Sequence, residues 1–363
     1  MIYFSILILL ILCEYINILT NYKYKYLSSM YLIVIGSVLF LLAAFRDGIG
    51  YDYENYRRIF NLITIDKVPQ GSSNVEWGFY LLNLISYSFT IVIFISALIA
   101  IPMKIKLICE YSEDGLLSLI MYFTSVFIMF DMGVIRQGIA ITFMLFSVKY
   151  IINRDFKKFL IVILCGALFH ITILVTIPLY FLSYIEFDRK VIYGASFVAL
   201  LFSIFKVTTI IFRLLSKLPL GTISYKLNYY LNSNQSNLTM SLIKRIIFLV
   251  LFVEFFKLKN IRDKNALVFL NGYFLSILVM GFFSSVDIIG GRGSMGLYFM
   301  QVFLFAIMMR RTEKKPLKLF LFVTVILLSI NTMMGPINHG NSSNQPYTPY
   351  KSIFSSDEIF EFK

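Results

Sequence analysis

Four groups of polar residues could carry chemistry in a chain otherwise made of apolar runs. In FRDGIGYDYENY, residues 45–56, Arg46 is followed by Asp52, Tyr53 and Tyr56, with Gly48 and Gly50 permitting a backbone turn between them. An Asp with aromatic residues one and four positions on suits sugar recognition, the carboxylate bonding hydroxyls while a ring covers an apolar sugar face. The same residues also fit a snorkelling Arg before an ordinary loop. In NVEWGFYLLN, Glu76 stands at an apolar boundary beside Trp77, the only Trp. A carboxyl there is placed for acid or base work, and Trp77 is placed to anchor an interface.

In FDMGVIRQGIA, residues 130–140, a short turn between apolar runs carries Arg136 and Gln137. A guanidinium offers paired donors and stays charged in a low dielectric, which suits phosphate; pairing with Asp131 is the alternative. The fourth group is His170 in ALFHITILV and Arg292 in IGGRGSMG. An imidazole is a natural proton acceptor near neutral pH, although a membrane His also serves as a hydrogen-bonding partner between helices. The glycines beside Arg292 let a ligand approach the backbone, and a boundary Arg is the alternative. The two His are far apart and no carboxylates sit at ligand spacing, so neither a metal nor a cofactor is expected. The GxG at 48–50 is no nucleotide fingerprint, because no strand precedes it and the third glycine is missing.

The elements that must position these groups follow from composition. Of 363 residues 58% are apolar, 17% aromatic and only 15% charged, with a mean hydropathy of +0.78. So few charges cannot cover a water-soluble globule, and lipid must serve as part of the solvent. The excess of 33 Lys and Arg over 20 Asp and Glu would in a soluble chain raise nucleic acid as a partner. Here the basic residues cluster between apolar runs, as topology-setting loops do, and no nucleic-acid-binding motif accompanies them. The three cysteines lack any CxxC or ligand spacing and read as inert thiols. Met1 leads straight into apolar residues without a basic stretch, so a membrane anchor is expected rather than a cleaved signal.

Runs of roughly 20 apolar residues predict spans near 2–18, 29–45, 77–103, 114–131, 134–151, 191–212, 243–258, 264–285, 292–309 and 317–334. The uncharged stretch 159–185 is expected to turn at His170 and form two more, because that topology gathers most Lys and Arg on one side. The expected architecture is all-α: one integral membrane domain over 1–363, with about twelve transmembrane helices. Residues 46–76 and 213–242 are expected as external loops and 335–363 as an external C-terminal tail. The short charged stretch at 104–106 is assigned to a loop on the opposite side.

Taken in order, these segments resemble the EpsG family of Wzy-type bacterial polysaccharide polymerases, over nearly the whole chain. The resemblance rests on FRDGIGYDYENY, EWGFYLLN, IRQGIA, LFH followed by IPLYFL, and the late Arg in GRGSMGLYF. It implies a multi-pass glycosyltransferase of the bacterial plasma (inner) membrane, with a fold resembling the GT-C type. Such an enzyme joins undecaprenyl-pyrophosphate-linked oligosaccharides, donor and acceptor, on the outer face of the bilayer, and leaves room for a protein partner that regulates chain length. Arg46, Asp52, Tyr53, Tyr56, Glu76, Arg136, Gln137, His170 and Arg292 match the family's recurring positions; no role carries onto Asp47.

Glycosyl transfer from a pyrophosphate needs fixed cations at the leaving group and one base for the acceptor hydroxyl. Arg136 and Arg292, with Arg46, are expected at the pyrophosphate, and His170 as the base, with Asp52 or Glu76 as alternatives. Glu76, Tyr53, Tyr56 and Gln137 are expected to bind substrate. Two rivals remain: a lipid-linked oligosaccharide flippase, which calls for ionisable residues deep in several spans, and a polysaccharide ligase or acyltransferase. Glu14, Lys206 and Glu254 are the charges that fit a flippase.

Overall fold

The computed structural model describes residues 2–23, 25–73, 75–218, 221, 238–342 and 347–355. Among them every regular element is helical, with a single isolated bridge between Arg46 and Ser352. The α-helices are α1 (Ile2–Leu19), α2 (Lys25–Ala44), α3 (Tyr53–Thr64), α4 (Gln70–Ser73), α5 (Trp77–Ile85), α6 (Phe89–Tyr111), α7 (Gly115–Tyr122), α8 (Ile135–Ile152), α9 (Phe156–Ala167) and α10 (Ile177–Leu182). They continue as α11 (Arg189–Ile204), α12 (Val207–Ser216), α13 (Thr239–Leu258), α14 (Lys264–Phe282), α15 (Ser294–Tyr298), α16 (Gln301–Arg311) and α17 (Lys315–Ser342). Two π-helical stretches, Phe123–Asp131 and Asp287–Gly293, each end shortly before or at a candidate arginine.

The chain divides into two compact units. The first comprises Met1–Phe146, Leu164–Ile171 and Phe305–Lys363, the second Ser147–Ile163 and Thr172–Leu304. In the first, α2 lies along α6, α1 packs on α7, and α17 packs on the stretch Phe123–Asp131. In the second, α14 is the central helix, covered by α11, α13 and α15. Helix ends follow local chemistry: Ser88 accepts the Ile91 N–H, Asp114 that of Leu117 and Asp188 that of Lys190. Whole faces of α1 remain exposed, including Ile8, Leu9, Leu12 and Ile16. Such a face is costly in water and favourable in lipid.

Among the described residues six helices are long and apolar enough to cross a membrane, or up to seven if the bent pair α11 and α12 makes one span. The expected count of about twelve is not reached by that measure, for identifiable reasons. Residues 29–44, 115–131 and 171–182 form apolar helices shorter than a span. The run 191–212 bends by 61°, at Lys206, whose φ of 49° lies in the left-handed region. The helix expected at 243–258 carries Lys244, Arg245, Glu254 and Lys257. The stretch 159–185 does break at His170, between α9 and the 3-10 turn Ile171–Thr176.

Several boundaries differ from expectation, and the run 77–103 is broken at 86–88 between α5 and α6. The loop 46–76 contains α3 and α4, and α3 buries Tyr53, Tyr56, Phe60 and Ile63 at helical spacing. The expected loop at 104–106 lies inside α6, because Lys104 is buried and paired where an isolated Lys in sequence looks like a turn. The tail from 335 begins as the end of α17, and 347–355 returns to the end of α2. The loop 213–242 starts in α12 and ends in α13; between them residues 219–220 and 222–237 lie outside the described residues.

Candidate functional site

The first unit gathers most of the expected residues. Arg46 follows the end of α2 and is 2% exposed. Its Nε donates to the Ile49 carbonyl at 3.1 Å and its Nη1 to the Ala43 carbonyl. Burial pulls its pKa down, opposed by Tyr53, Tyr347, Tyr3 and Tyr350 around it. With two of its nitrogens bonded to the main chain, Arg46 braces the turn. The turn is bonded to the chain's end: Asp47 N–H donates to the Lys351 carbonyl at 3.2 Å and Ile353 N–H to the Phe45 carbonyl at 3.0 Å.

Gly50 has φ of 114°, and a Cβ there would lie 2.1 Å from the Met132 carbonyl oxygen. Only glycine lets this turn close onto the turn that carries Arg136. Tyr347 bolts the two together, accepting the Tyr51 N–H at 3.4 Å and donating to the Ile128 carbonyl at 3.1 Å. Asp52 then occupies the N-cap position of α3, without a side-chain capping bond. Tyr53 donates its hydroxyl to Asp47 at 3.0 Å, so Asp47 acquires a structural partner that its sequence position did not announce.

Arg136 stands in the first turn of α8 and Glu76 caps α5. Arg136 Nη1 donates to Glu76 Oε2 at 2.5 Å, with side chains 21% and 24% exposed. The guanidinium lies 5.8 Å from the Tyr56 ring centre and 5.9 Å from that of Phe79. The Tyr56 hydroxyl and Arg136 Nε are buried without a hydrogen-bond partner in good geometry among the described residues. This is a half-buried cation, walled by two rings, with donor capacity left over. The expected alternative, Arg136 with Asp131, is not the pairing: Asp131 bonds Lys104 and Tyr122.

The start of α5 is tied to the His170 segment, Gly78 N–H donating to the Leu168 carbonyl at 2.7 Å. His170 is 7% exposed where α9 breaks, its N–H donating to the Gly166 carbonyl at 3.1 Å. The next aromatic, Phe169, stacks on Phe143 of α8 at 6.0 Å. Gln137 is 2% exposed. Tyr53, Tyr56, Glu76, Arg136, Gln137 and the His170 segment therefore belong to one packed assembly.

Arg292 belongs to the second unit. Half-exposed in the π-helical stretch, it has Asp287 Oδ2 3.6 Å from its Nε. The residue missed there is Arg245 of α13, 3% exposed, which donates to Ser294 Oγ at 2.9 Å and lies 4.0 Å over the Tyr298 ring. The available signal was weak, since Lys244 and Arg245 stand together at the start of an apolar run and read as a boundary pair. Lys104 was missed too, because its partner Asp131 lies 27 residues on. Two of the three charges that would fit a flippase are bonded within the protein: Tyr22 and Asn17 bond Glu14, and Arg189 and Tyr193 bond Glu254.

Helices of this kind, with charged turns at their ends, define an all-helical, multi-pass membrane protein. Residues 29–352, most of the chain, match the EpsG family model. The chain belongs to the EpsG family. No curated protein and no solved structure matches it.

Proposed function

We propose that this chain is a glycosyltransferase of the bacterial plasma membrane that polymerises undecaprenyl-pyrophosphate-linked repeat units into a surface polysaccharide on the outer face. Membership of the EpsG family supports the polymerase role, and the half-buried Arg136 against Glu76 is the observation that carries the mechanism. In the reaction an acceptor hydroxyl attacks the anomeric carbon of the donor glycan. A new C–O bond forms, the bond to the pyrophosphate breaks, and the hydroxyl proton passes to a base. The leaving pyrophosphate develops charge, and a guanidinium fixed among rings meets that charge without reorganising.

Arg136 is the residue assigned to the pyrophosphate, Glu76 its partner before substrate arrives, and Arg292 a second cation in the other unit. His170 is the first choice of base, Asp52 and Glu76 the alternatives. Tyr53 and Tyr56 form the wall behind Arg136, and Arg46 acts through the turn it braces. The short apolar helices, the broken 159–185 segment and α13 join the six or seven longer spans in a bundle of about twelve, of the GT-C kind. A regulator of chain length is the protein partner proposed.

The test is genetic. The gene is deleted in its host and the surface polysaccharide run on a gel beside strains complemented with wild type, Arg136→Ala and His170→Ala. Collapse of the ladder to a single repeat unit, unrescued by the variants, supports the polymerase. Loss of all surface glycan, with lipid-linked repeats retained inside, points to a flippase and overturns the reading.

A further inference from the structure

The first unit holds a charge that neither topology nor the proposed chemistry uses. Lys104, inside α6, is fully buried, as is its partner Asp131. Its Nζ donates to Asp131 Oδ1 at 2.5 Å and to the Gly138 carbonyl at 2.9 Å. Tyr122 donates to the other Asp131 oxygen at 2.6 Å, and Thr142 donates to the Gly138 carbonyl at 3.0 Å. A Cβ on residue 138 would lie 3.0 Å from Asp131 Oδ1 and 2.6 Å from the Phe130 carbonyl oxygen, so only glycine allows this closure.

One ammonium thus holds both ends of the turn 131–138, on which Arg136 and Gln137 stand. A buried ion pair is a poor source of stability, since desolvation takes back what attraction gives, and apolar replacements of similar volume are often neutral or better. Its presence in an apolar helix calls for a role other than stability.

The second unit repeats the device. Arg245, buried in α13, bonds Ser294 Oγ, which donates to the Gly291 carbonyl at 3.1 Å. Gly291 and Ser294 flank Arg292. The planar guanidinium is held flat by the Tyr298 ring, and the Tyr273 hydroxyl donates to the Arg245 carbonyl at 3.2 Å. In each unit a buried cation from a neighbouring helix fastens the turn that presents a candidate arginine.

We propose that Lys104 and Arg245 are positioning residues, each fixing the backbone that aims Arg136 and Arg292 respectively. The proposal rests on the reading that those arginines meet the pyrophosphate. The experiment uses the full chain, purified and reconstituted with the lipid-linked repeat unit, and measures kcat, KM and melting temperature. The double variant Lys104→Met with Asp131→Leu removes both charges together. It is expected to melt near the wild-type temperature and lose about tenfold to a hundredfold in kcat with little change in KM, as for a displaced catalytic group. Tyr122→Phe and Ser294→Ala, which remove one hydroxyl and no charge, give the second reading, with smaller losses in kcat and a lowered melting temperature in a chain that still folds. Wild-type kcat in the folded double variant, or in both hydroxyl variants if the double variant does not fold, overturns the proposal. Wild-type kcat in Arg136→Ala instead overturns the parent reading, so the two failures are distinct.

Discussion

Arg136 and Glu76 stand 60 residues apart in the chain and meet at 2.5 Å at the heads of α8 and α5. Each residue alone is an ordinary boundary charge. Together, with the rings of Tyr56 and Phe79 beside the guanidinium, they make a half-buried ion pair, and the proposed mechanism has a phosphate displace its anionic partner. That exchange is plausible energetically because a part-exposed pair is worth little on its own, while an oxyanion contact in a water-poor site is worth several kcal/mol to a transition state.

Removing the cation therefore lowers turnover more than stability. Arg136→Ala is expected to reduce consumption of the lipid-linked repeat about a hundredfold or more. Arg136→Lys is expected to recover little of it, because an ammonium has neither the paired donors nor the flat face that the two rings receive. Single-turnover assays on purified protein check both. Recovery of most activity in Arg136→Lys would show that charge alone suffices and that the fork geometry is irrelevant.

The base is separable by pH. Among His170, Asp52 and Glu76, the residue that takes the acceptor proton sets the acid limb of the kcat profile. His170→Gln is expected to abolish that limb and leave a low, flat rate, whereas Asp52→Asn and Glu76→Gln keep its shape at reduced height. An unchanged limb in His170→Gln assigns the proton to a carboxylate.

Much of this was legible in sequence because spans and turns are set by local composition. The break at His170 shows as two short apolar halves. The helix α3 was also readable, since Tyr53, Tyr56, Phe60 and Ile63 recur at helical spacing inside a stretch taken for a loop. Lys104 was not readable: a Lys in an apolar run signals a loop unless its partner is known, and Asp131 lies 27 residues on. The bracing role of Arg46 was hidden for another reason: its partners, the Ala43 and Ile49 carbonyls, lie three residues to either side, and every residue carries a carbonyl, so no residue type marks them. Nothing in residues 347–355 announces that they pair with the end of α2.

That pairing gives the C-terminal segment a role in the site. Tyr347 is fully buried and its hydroxyl joins the Tyr51 and Ile128 backbones. Tyr347→Phe is expected to cost about 1–3 kcal/mol by leaving buried backbone groups unpaired. Tyr347→Ala, which also opens a cavity, is expected to cost about 3–5 kcal/mol. Truncation after residue 346 is expected to abolish polymerisation, since the turn holding Arg46 and Asp52 loses the backbone bonds from Lys351 and Ile353. Thermal melts and the polysaccharide ladder check these; a truncated chain that still makes full-length polymer would detach the tail from the site.

The buried phenols around the site predict an alkaline limit to stability. Burial pushes Tyr53, Tyr56 and Tyr347 each up to about 12 from an ordinary 10, Asp47 adding to the rise at Tyr53 and Arg136 opposing it at Tyr56. The folded chain holds these protons more tightly than the unfolded one. Their contribution to stability is therefore complete below the unfolded value near 10 and is lost as pH rises through about 12. The melting temperature of the purified protein is expected to fall steeply across that window. Tyr56→Phe is the probe, because it removes the titrating hydroxyl and leaves the ring against Phe79. The variant is expected to match or exceed wild type at pH near 8 and to lose less between the two limits. Parallel curves for wild type and variant would mean that the Tyr56 proton is not linked to folding, and that the wall behind Arg136 is open to water.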